Sequence, residues 1–181
     1  MGFQRDSYQN WCLTWGGSVR RPAVRRGILR RYWQSALAVL AKTSARPNAG
    51  TYFKHARATL IEIQLTFCGP QKIRTLNHKF RGEDRVTDVL SFPLQAPLAW
   101  RKKVYTLPIL PWGDVVICLA QAAQQAREHQ RTLEQEVLYL FIHSWLHLYG
   151  LDHQTPAQTK KMFWQQDQLY ARILKAAGSP E

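Results

Sequence analysis

The stretch TLEQEVLYLFIHSWLHLYGLDH (132–153) places three of the chain's six histidines at the end of a long apolar run. Thr132 and Gln135 have the spacing of a capping box, in which two side chains satisfy backbone N–H groups at the start of a helix. Gly150 is a typical helix terminator. The stretch therefore predicts a long helix over 132–149, followed by a turn that carries the last histidine.

The segments around this helix predict a small α+β fold. ATLIEIQLTF (58–67) alternates apolar and polar residues with the period of a β-strand. Apolar runs bounded by Gly and Pro predict the other elements: strands near 9–15, 88–94 and 113–119, helices over 23–43, 70–80, 120–129 and 156–176, and an irregular connection over 95–112. We expect a single domain in which a mixed sheet of about four strands packs with about five helices.

The charge balance of the chain favours a polyanionic partner. The 181 residues include 25 Lys or Arg and 12 Asp or Glu, which gives a formal net charge of +13 and a pI of about 10.1. Such a surplus is typical of proteins that bind nucleic acid or an anionic membrane surface, and a generally basic, solvated surface is the alternative. Charge alone does not separate RNA from DNA.

The chain is expected to divide into a basic N-terminal segment (1–22), partly ordered, a single domain (23–176) and a short tail (177–181). We expect a cytoplasmic protein with no membrane partner, because apolar runs such as VLYLFI (137–142) are too short to span a bilayer and no secretory signal is apparent. An organelle transit peptide is a less favoured interpretation of the Arg-rich start. Three scattered cysteines indicate neither a disulfide framework nor a Cys-type zinc site.

The histidines have the spacing of a metal site. His143 and His147 are four residues apart on the predicted helix, so both project from the same face. Gly150 allows the chain to fold back and bring His153 to the same point. Three imidazole ligands leave a fourth position open, as in catalytic rather than structural zinc sites. The alternative, core or surface histidines that cluster by chance, is disfavoured by this spacing.

The residue after the first histidine argues against peptidase chemistry. The offsets match the H-E-x-x-H-x-x-G-x-x-H pattern of metzincin proteases, except that Ser144 stands where the protease has its general base. Without that glutamate, no adjacent carboxylate can carry a proton to a leaving amine. A phosphodiester has a better leaving group and instead needs cationic groups around its anionic transition state. The pattern therefore disfavours peptide hydrolysis, and a phosphodiester is an example of a substrate that would need this base less.

Three blocks of the sequence resemble the YbeY family of metal-dependent endoribonucleases, which are also described as rRNA maturation factors. HSWLHLYGLDH (143–153) is similar to the family signature H-G-x-L-H-L-x-G-Y-D-H. LNHKFRGEDRVTDVLSFPL (76–94) is similar to L-N-x-x-Y-R-G-x-D-x-x-T-D-V-L-S-F-P, and GDVVI (113–117) is similar to the strand G-D-I-V-I. The blocks follow the family's order and spacing, and the resemblance covers about residues 58 to 175.

The resemblance implies a metal-dependent endoribonuclease that favours single strands and acts in maturation of the small-subunit rRNA 3′ end and in ribosome quality control. By position, His143, His147 and His153 would bind one divalent metal ion, with Zn²⁺ expected although imidazoles also suit Ni and Cu. Arg81 would be the catalytic basic residue beside the metal, since a guanidinium can bind a phosphate through two hydrogen bonds. The implied partners are rRNA and the ribosome or its assembly factors, with no small-molecule cofactor.

Further residues are candidates for supporting roles. Asp152, beside a ligand, can accept a hydrogen bond from a ligand histidine or can cap the turn. Ser144 and Leu151 depart from the Gly and Tyr of the signature, but neither replaces a metal ligand. The candidate contacts to the RNA backbone are Lys79, Arg85, Arg25 and Arg26. The functions left open as alternatives are a zinc metallopeptidase-like hydrolase and a non-catalytic ribosome-assembly factor with a structural metal.

Overall fold

A computed structural model of the protein describes residues 3–8, 11–17, 19, 23–44, 60–94 and 108–178. These residues form five strands and five helices. In chain order they are β1 (Gln4–Tyr8), β2 (Trp11–Gly17), α1 (Arg26–Ser44), β3 (Leu60–Cys68), α2 (Pro70–Arg81), β4 (Val89–Pro93), β5 (Ile109–Cys118), α3 (Leu119–Glu128), α4 (Leu133–Leu148) and α5 (Pro156–Ala176). None of these helices is both long and apolar enough to cross a lipid bilayer.

The strands form one mixed sheet in the order β1–β2–β3–β5–β4. The two central pairings, β2 with β3 and β3 with β5, are parallel, whereas the edge pairings of β1 with β2 and of β4 with β5 are antiparallel. The predicted α+β class, with a small mixed sheet and about five helices, is confirmed. The sheet has five strands rather than about four, because β1 and β2 form an antiparallel pair where one strand near 9–15 was expected.

β1 is a polar edge strand, and its sequence QRDSY has no apolar alternation from which a strand can be predicted. Its buried residue is Asp6, which accepts a hydrogen bond from Trp15 Nε1 of β2 at 2.8 Å. The guanidinium of Arg30 in α1 lies 3.6 Å from the same carboxylate. The described part of residues 1–22 therefore packs with the rest of the sheet, while the domain boundaries at residues 22 and 176 stay predictions.

β5 begins within the stretch that was assigned to an irregular connection, earlier than the predicted start at Gly113. Its pairing with β3 shifts register, because Glu62 pairs with Pro111 whereas Ile63 pairs with Gly113. Trp112 is thus the extra residue of a β-bulge, and Pro111 lies directly before it. Strands tolerate proline at such bulges. The proline that indicated a loop in the sequence lies inside the strand for this reason.

The two faces of the sheet pack against different helices. In β5, Val115 and Ile117 belong to the large core cluster with α1, α4 and α5, whereas Val116 and Cys118 belong to a smaller cluster with Ile73 of α2. This division follows from the alternation of side chains along a strand. α4 contacts β4, β5, α1, α3 and α5, and most of its residues are buried. The helix that carries two of the histidines is therefore held on most sides.

A buried carboxylate ties the start of α4 to the residue before α1. Glu134 is 2% exposed, and it accepts hydrogen bonds from the Arg25 backbone N–H at 2.7 Å and from the Arg25 guanidinium at 2.8 Å. Burial by itself would raise the pKa of Glu134, but the hydrogen bonds and the charge of Arg25 outweigh it and hold this pKa below its usual range. The predicted capping box of Thr132 and Gln135 completes the start of this helix.

Glu134→Gln keeps a hydrogen-bond acceptor but removes the charge, so we expect it to lower the free energy of unfolding at pH 7 by about 1–2 kcal/mol. Because the folded pKa of Glu134 is depressed, its stabilisation is complete above the unfolded value of about 4.3 and is lost as pH falls through the folded value. The difference between wild type and variant, measured by urea unfolding in EDTA, should therefore shrink below about pH 4.3.

The control for this prediction is Glu128→Gln, which makes the same chemical change at an exposed position of α3. We expect it to change the free energy of unfolding by less than about 0.5 kcal/mol. An equal effect of the two substitutions, or an effect of Glu134→Gln that does not change with pH, contradicts the role assigned to the buried carboxylate.

Candidate metal centre and cleft

The three predicted metal ligands lie together at the end of α4. His143 and His147 project from one face of this helix, as their spacing of four residues predicts. Gly150 follows with a φ of +86°, in the left-handed region, and the chain turns back so that His153 approaches the same point. One ring nitrogen from each histidine lies within 4.8 Å of the others. Three side chains that can hold one metal ion are thus brought together.

The hydrogen bonds of the two helical histidines fix which ring nitrogen carries the proton. Gln166 Nε2 donates to the carbonyl of Tyr139 at 3.1 Å, so Gln166 Oε1 is left as an acceptor, 3.0 Å from His143 Nδ1. His147 Nδ1 lies 3.0 Å from the carbonyl of Leu151, which can only accept. Both Nδ1 atoms must therefore be donors. Both Nε2 atoms then carry the lone pairs, the arrangement that a metal ligand needs.

The two Nε2 atoms face each other at 3.1 Å. This is a hydrogen-bond distance, but neither nitrogen of the two neutral rings has a hydrogen to donate. Two tetrahedral ligands at a Zn–N distance of about 2.0–2.1 Å would lie about 3.3–3.4 Å apart, which is close to the observed separation. Two facing lone pairs repel unless a cation lies between them, so the residues present fit a metal ion.

The electrostatics of the site keep these imidazoles neutral. Burial, reinforced by the neighbouring His143 and His153 rings, lowers the pKa of His147 to about 4. Burial also lowers the pKa of His143, although the hydrogen bond with Gln166 acts in the opposite direction. Both rings are therefore uncharged near pH 7, and uncharged imidazole is the form that binds a metal.

The three histidines open into a cleft of about 360 Å³, within the range of sites that bind small molecules or parts of larger ones. Its walls come from the end of α2, the start of β4, and the facing parts of α3, α4 and α5. Besides the histidines named above, the lining includes Arg81, Asp88, Gln125, His129, Glu136, Ser144 and Phe163.

Arg81 lines this cleft together with the histidines, as its predicted role beside a metal requires. Its side chain is exposed, and among the described residues it has no ion-pair partner. Gly82, with a φ of +74°, ends α2 directly after it. A guanidinium whose charge is not offset by a carboxylate is free to bind a phosphate at the mouth of the cleft.

The four candidate RNA contacts have different surroundings. Arg25 is paired with buried Glu134, and Arg85 is paired with Glu83, so both charges are already offset. The ammonium of Lys79 lies 5.2 Å from the ring centroid of Phe80 on the exposed side of α2. Arg26 is exposed at the start of α1. Contact with RNA by any of the four stays a prediction.

Asp152 accepts a hydrogen bond from the backbone N–H of His153 at 2.8 Å, as expected for a residue that caps the turn. The ring N–H of His147 donates to the carbonyl of Leu151 instead. An orienting role for the Asp152 carboxylate stays a prediction. The residue that orients His143 is Gln166, which sequence reasoning missed because it lies on another helix and is one of several glutamines along α5.

Two carboxylates that sequence reasoning did not place in the cleft also line it, and both are already engaged. Asp88 accepts from the Val89 backbone N–H at 2.7 Å and from Gln125 Nε2 at 2.9 Å. Glu136 is 1% exposed, and it lies 3.0 Å from Arg131 Nη1 and 3.3 Å from His129 Nδ1. Neither is placed like the general base of a metalloprotease, which follows the first ligand in sequence.

A match to one family model spans all three of these blocks of sequence. The family model described as Endoribonuclease YbeY matches residues 34–174. Endoribonuclease YbeY of Caldanaerobacter subterraneus is 38% identical over 117 residues, which cover 62% of this chain and 74% of that protein. Endoribonuclease YbeY of Clostridioides difficile is 43% identical over 101 residues, which cover 56% and 64%.

A solved structure supports the fold. The solution structure of TM1509 from Thermotoga maritima matches with a TM-score of 0.57 and 24% sequence identity, over 90% of this chain and 89% of that one. Because the sequence identity is only 24%, this match is evidence for a shared fold and not for a shared function.

Gln166→Leu removes the acceptor that holds the His143 ring, so we expect metal affinity to fall by about 10- to 100-fold. Affinity is measured by competition with a chromophoric chelator, and circular dichroism checks that the helices are retained. Gln165→Leu makes the same change at the adjacent residue, which has no described contact with a histidine, and should leave affinity unchanged. If the two variants bind the metal with equal affinity, Gln166 does not position His143 for metal binding.

Proposed function

The chain belongs to the endoribonuclease YbeY family, and from that premise we propose that it is a metal-dependent endoribonuclease that favours single-stranded RNA. We place its action in rRNA maturation, at the 3′ end of the small-subunit rRNA, and in ribosome quality control. The observation that carries the proposal is one cleft that contains both the three-histidine cluster and the unpaired guanidinium of Arg81. With a cation bound by the three histidines, such a cleft would present two positive charges to a bound phosphate.

His143, His147 and His153 are the proposed ligands of one divalent ion, with Zn²⁺ as the proposed metal. Three nitrogen ligands with an open fourth position suit zinc in a catalytic role. When bound, the ion supplies a Lewis acid that can polarise a phosphoryl oxygen. The ring N–H groups that donate to Gln166 and to the Leu151 carbonyl keep the two helical ligands in the orientation that this role needs.

Arg81 is the proposed catalytic residue. In the transition state of phosphodiester cleavage, negative charge is spread over the equatorial oxygens of the phosphoryl group and develops on the leaving oxygen. A guanidinium remains protonated at any working pH and can bind two phosphate oxygens at once. The effect on rate arises because the binding to Arg81 becomes stronger as this charge develops.

The charge of the whole chain supports RNA as the substrate. A formal net charge of +13 attracts a polyanion and increases the rate of encounter at low salt. Ribosomal RNA as the particular substrate, the ribosome or its assembly factors as partners, and a cytoplasmic location are parts of the same proposal. Family membership supports these parts.

Arg81→Ala should reduce kcat/KM for single-stranded RNA by about 10²- to 10³-fold, the effect of removing one charge-stabilising donor from an active site. Zinc content and thermal stability should be unchanged, because the guanidinium is exposed and has no described partner. The control is Arg74→Ala, which removes the same charge from an exposed position of α2, where Arg74 is paired with Asp84. If kcat/KM falls equally in the two variants, Arg81 contributes only to the general positive charge of the protein and is not a catalytic residue.

Removal of the metal by a chelator should abolish RNA cleavage and leave the far-UV circular dichroism spectrum unchanged, since the helices are held by their apolar core. Added Zn²⁺ should restore cleavage. Loss of the folded state together with the metal would favour the structural-metal alternative. Hydrolysis of casein by the zinc-loaded protein, without cleavage of RNA, would favour the peptidase alternative.

A further inference from the structure

Phe163 is an aromatic side chain that lines the cleft beside the metal ligands. Its ring centroid lies 6.0 Å from that of His143 and 6.4 Å from that of His153, at interplanar angles of 31° and 32°. The side chain is 41% exposed, although its neighbour Met162 is buried in the core. The ring thus lies beside two of the proposed ligand histidines, and its exposed part is available to a molecule in the cleft.

The next residue of α5 is also an exposed aromatic, but it lies outside the cleft. Trp164 is 63% exposed, more than Phe163, but it is not among the described residues that line the cleft. A single exposed aromatic on a helix needs no functional explanation. What distinguishes Phe163 is its place beside the ligands, in the wall of the cleft that Arg81 also lines.

Two residues that line the same cleft each have a buried side-chain oxygen with no hydrogen-bond partner among the described residues. These oxygens are Ser144 Oγ and Gln125 Oε1. The amide of Gln125 cannot flip to give its oxygen another partner, because its Nε2 donates to Asp88 Oδ2 at 2.9 Å. Polar atoms that are buried without a partner are costly. The partly exposed side chains of Thr87 and Ser91 also line the cleft, which therefore combines an aromatic side chain with groups that can form hydrogen bonds.

An aromatic face beside hydrogen-bonding groups is the combination with which proteins hold an unpaired nucleobase. We propose that Phe163 is a stacking platform for one unpaired nucleobase of the RNA substrate, next to the phosphate that lies between the histidine cluster and Arg81. This inference rests on the proposed function and adds a base-binding subsite to it. A base within a duplex is stacked between its two neighbours and paired through its Watson–Crick edge, so it cannot reach the ring. Stacking on Phe163 would then be one origin of a preference for single strands.

The first test compares substitutions of Phe163 on a single-stranded RNA. Phe163→Ala should lower kcat/KM by about 5- to 150-fold, the range found when a base-stacking aromatic is removed. Phe163→Leu keeps an apolar side chain beside the histidines but has no aromatic face, so it should show a similar loss with full zinc content. Phe163→Trp should keep most of the activity. Trp164→Ala is the matched control, and its kcat/KM should equal that of the wild type.

The second test identifies the base. RNAs that carry a single abasic site at successive positions around the cleavage site are compared for wild type and Phe163→Leu. For wild type, kcat/KM should fall by about 5- to 150-fold when the abasic site is at one particular position. For Phe163→Leu, the abasic site at that position should cause no further fall in kcat/KM, because the aromatic ring on which the base stacks is already missing. If each abasic site lowers kcat/KM by the same factor in wild type and in Phe163→Leu, the inference is overturned.

The outcomes separate this inference from the proposed function. Cleavage of RNA by wild type and Phe163→Leu with equal kcat/KM would overturn the stacking platform and leave the endoribonuclease in place. A loss in the variants that follows a loss of zinc would assign Phe163 to metal retention and overturn the platform as well. If zinc-loaded wild type cleaves no RNA, the proposed function fails, and the platform fails with it.

Discussion

The burial of α4 is the constraint on which the site depends. Most residues of this helix are buried between the sheet and the neighbouring helices, so it cannot rotate or shift without opening the core. Its start is fixed by the capping box of Thr132 and by the hydrogen bonds between Glu134 and Arg25, and its end is fixed at Gly150. His143 and His147 are therefore held in one orientation, at the edge of a layer whose interior is closely packed.

A site that places two lone pairs 3.1 Å apart is destabilised when no cation is bound. The surrounding fold must hold the rings in place against this repulsion, and the hydrogen bonds to Gln166 and to the Leu151 carbonyl do so. Gln166 is 1% exposed and also donates to the Tyr139 carbonyl, so its amide has one orientation. A cation between the two nitrogens would remove this repulsion, and Gln166 would hold the His143 ring in the orientation that a ligand needs.

Features that depend on short-range patterns could be predicted from the sequence. The helix over α4 and the spacing of its two histidines follow from local periodicity, and the α+β class follows from strand and helix patterns along the chain. Features that depend on distant pairs could not be predicted. Glu134 lies 109 residues from Arg25, and Gln166 lies 23 residues from His143. Any of several similar side chains could have made these contacts, so no local pattern distinguishes the ones that do.

The cleft has no carboxylate in the position of a protease base. Asp88 is committed to Val89 and Gln125, and Glu136 is committed to Arg131 and His129. Ser144, in the position of the protease base, is 1% exposed, so a charged glutamate there would have to be buried beside the ligands. An amide needs proton transfer to its poor leaving group, whereas a phosphodiester depends more on positive charge around its oxygens. Arg81 and a cation held by the histidine cluster would meet the second requirement, and the placement of the carboxylates does not meet the first.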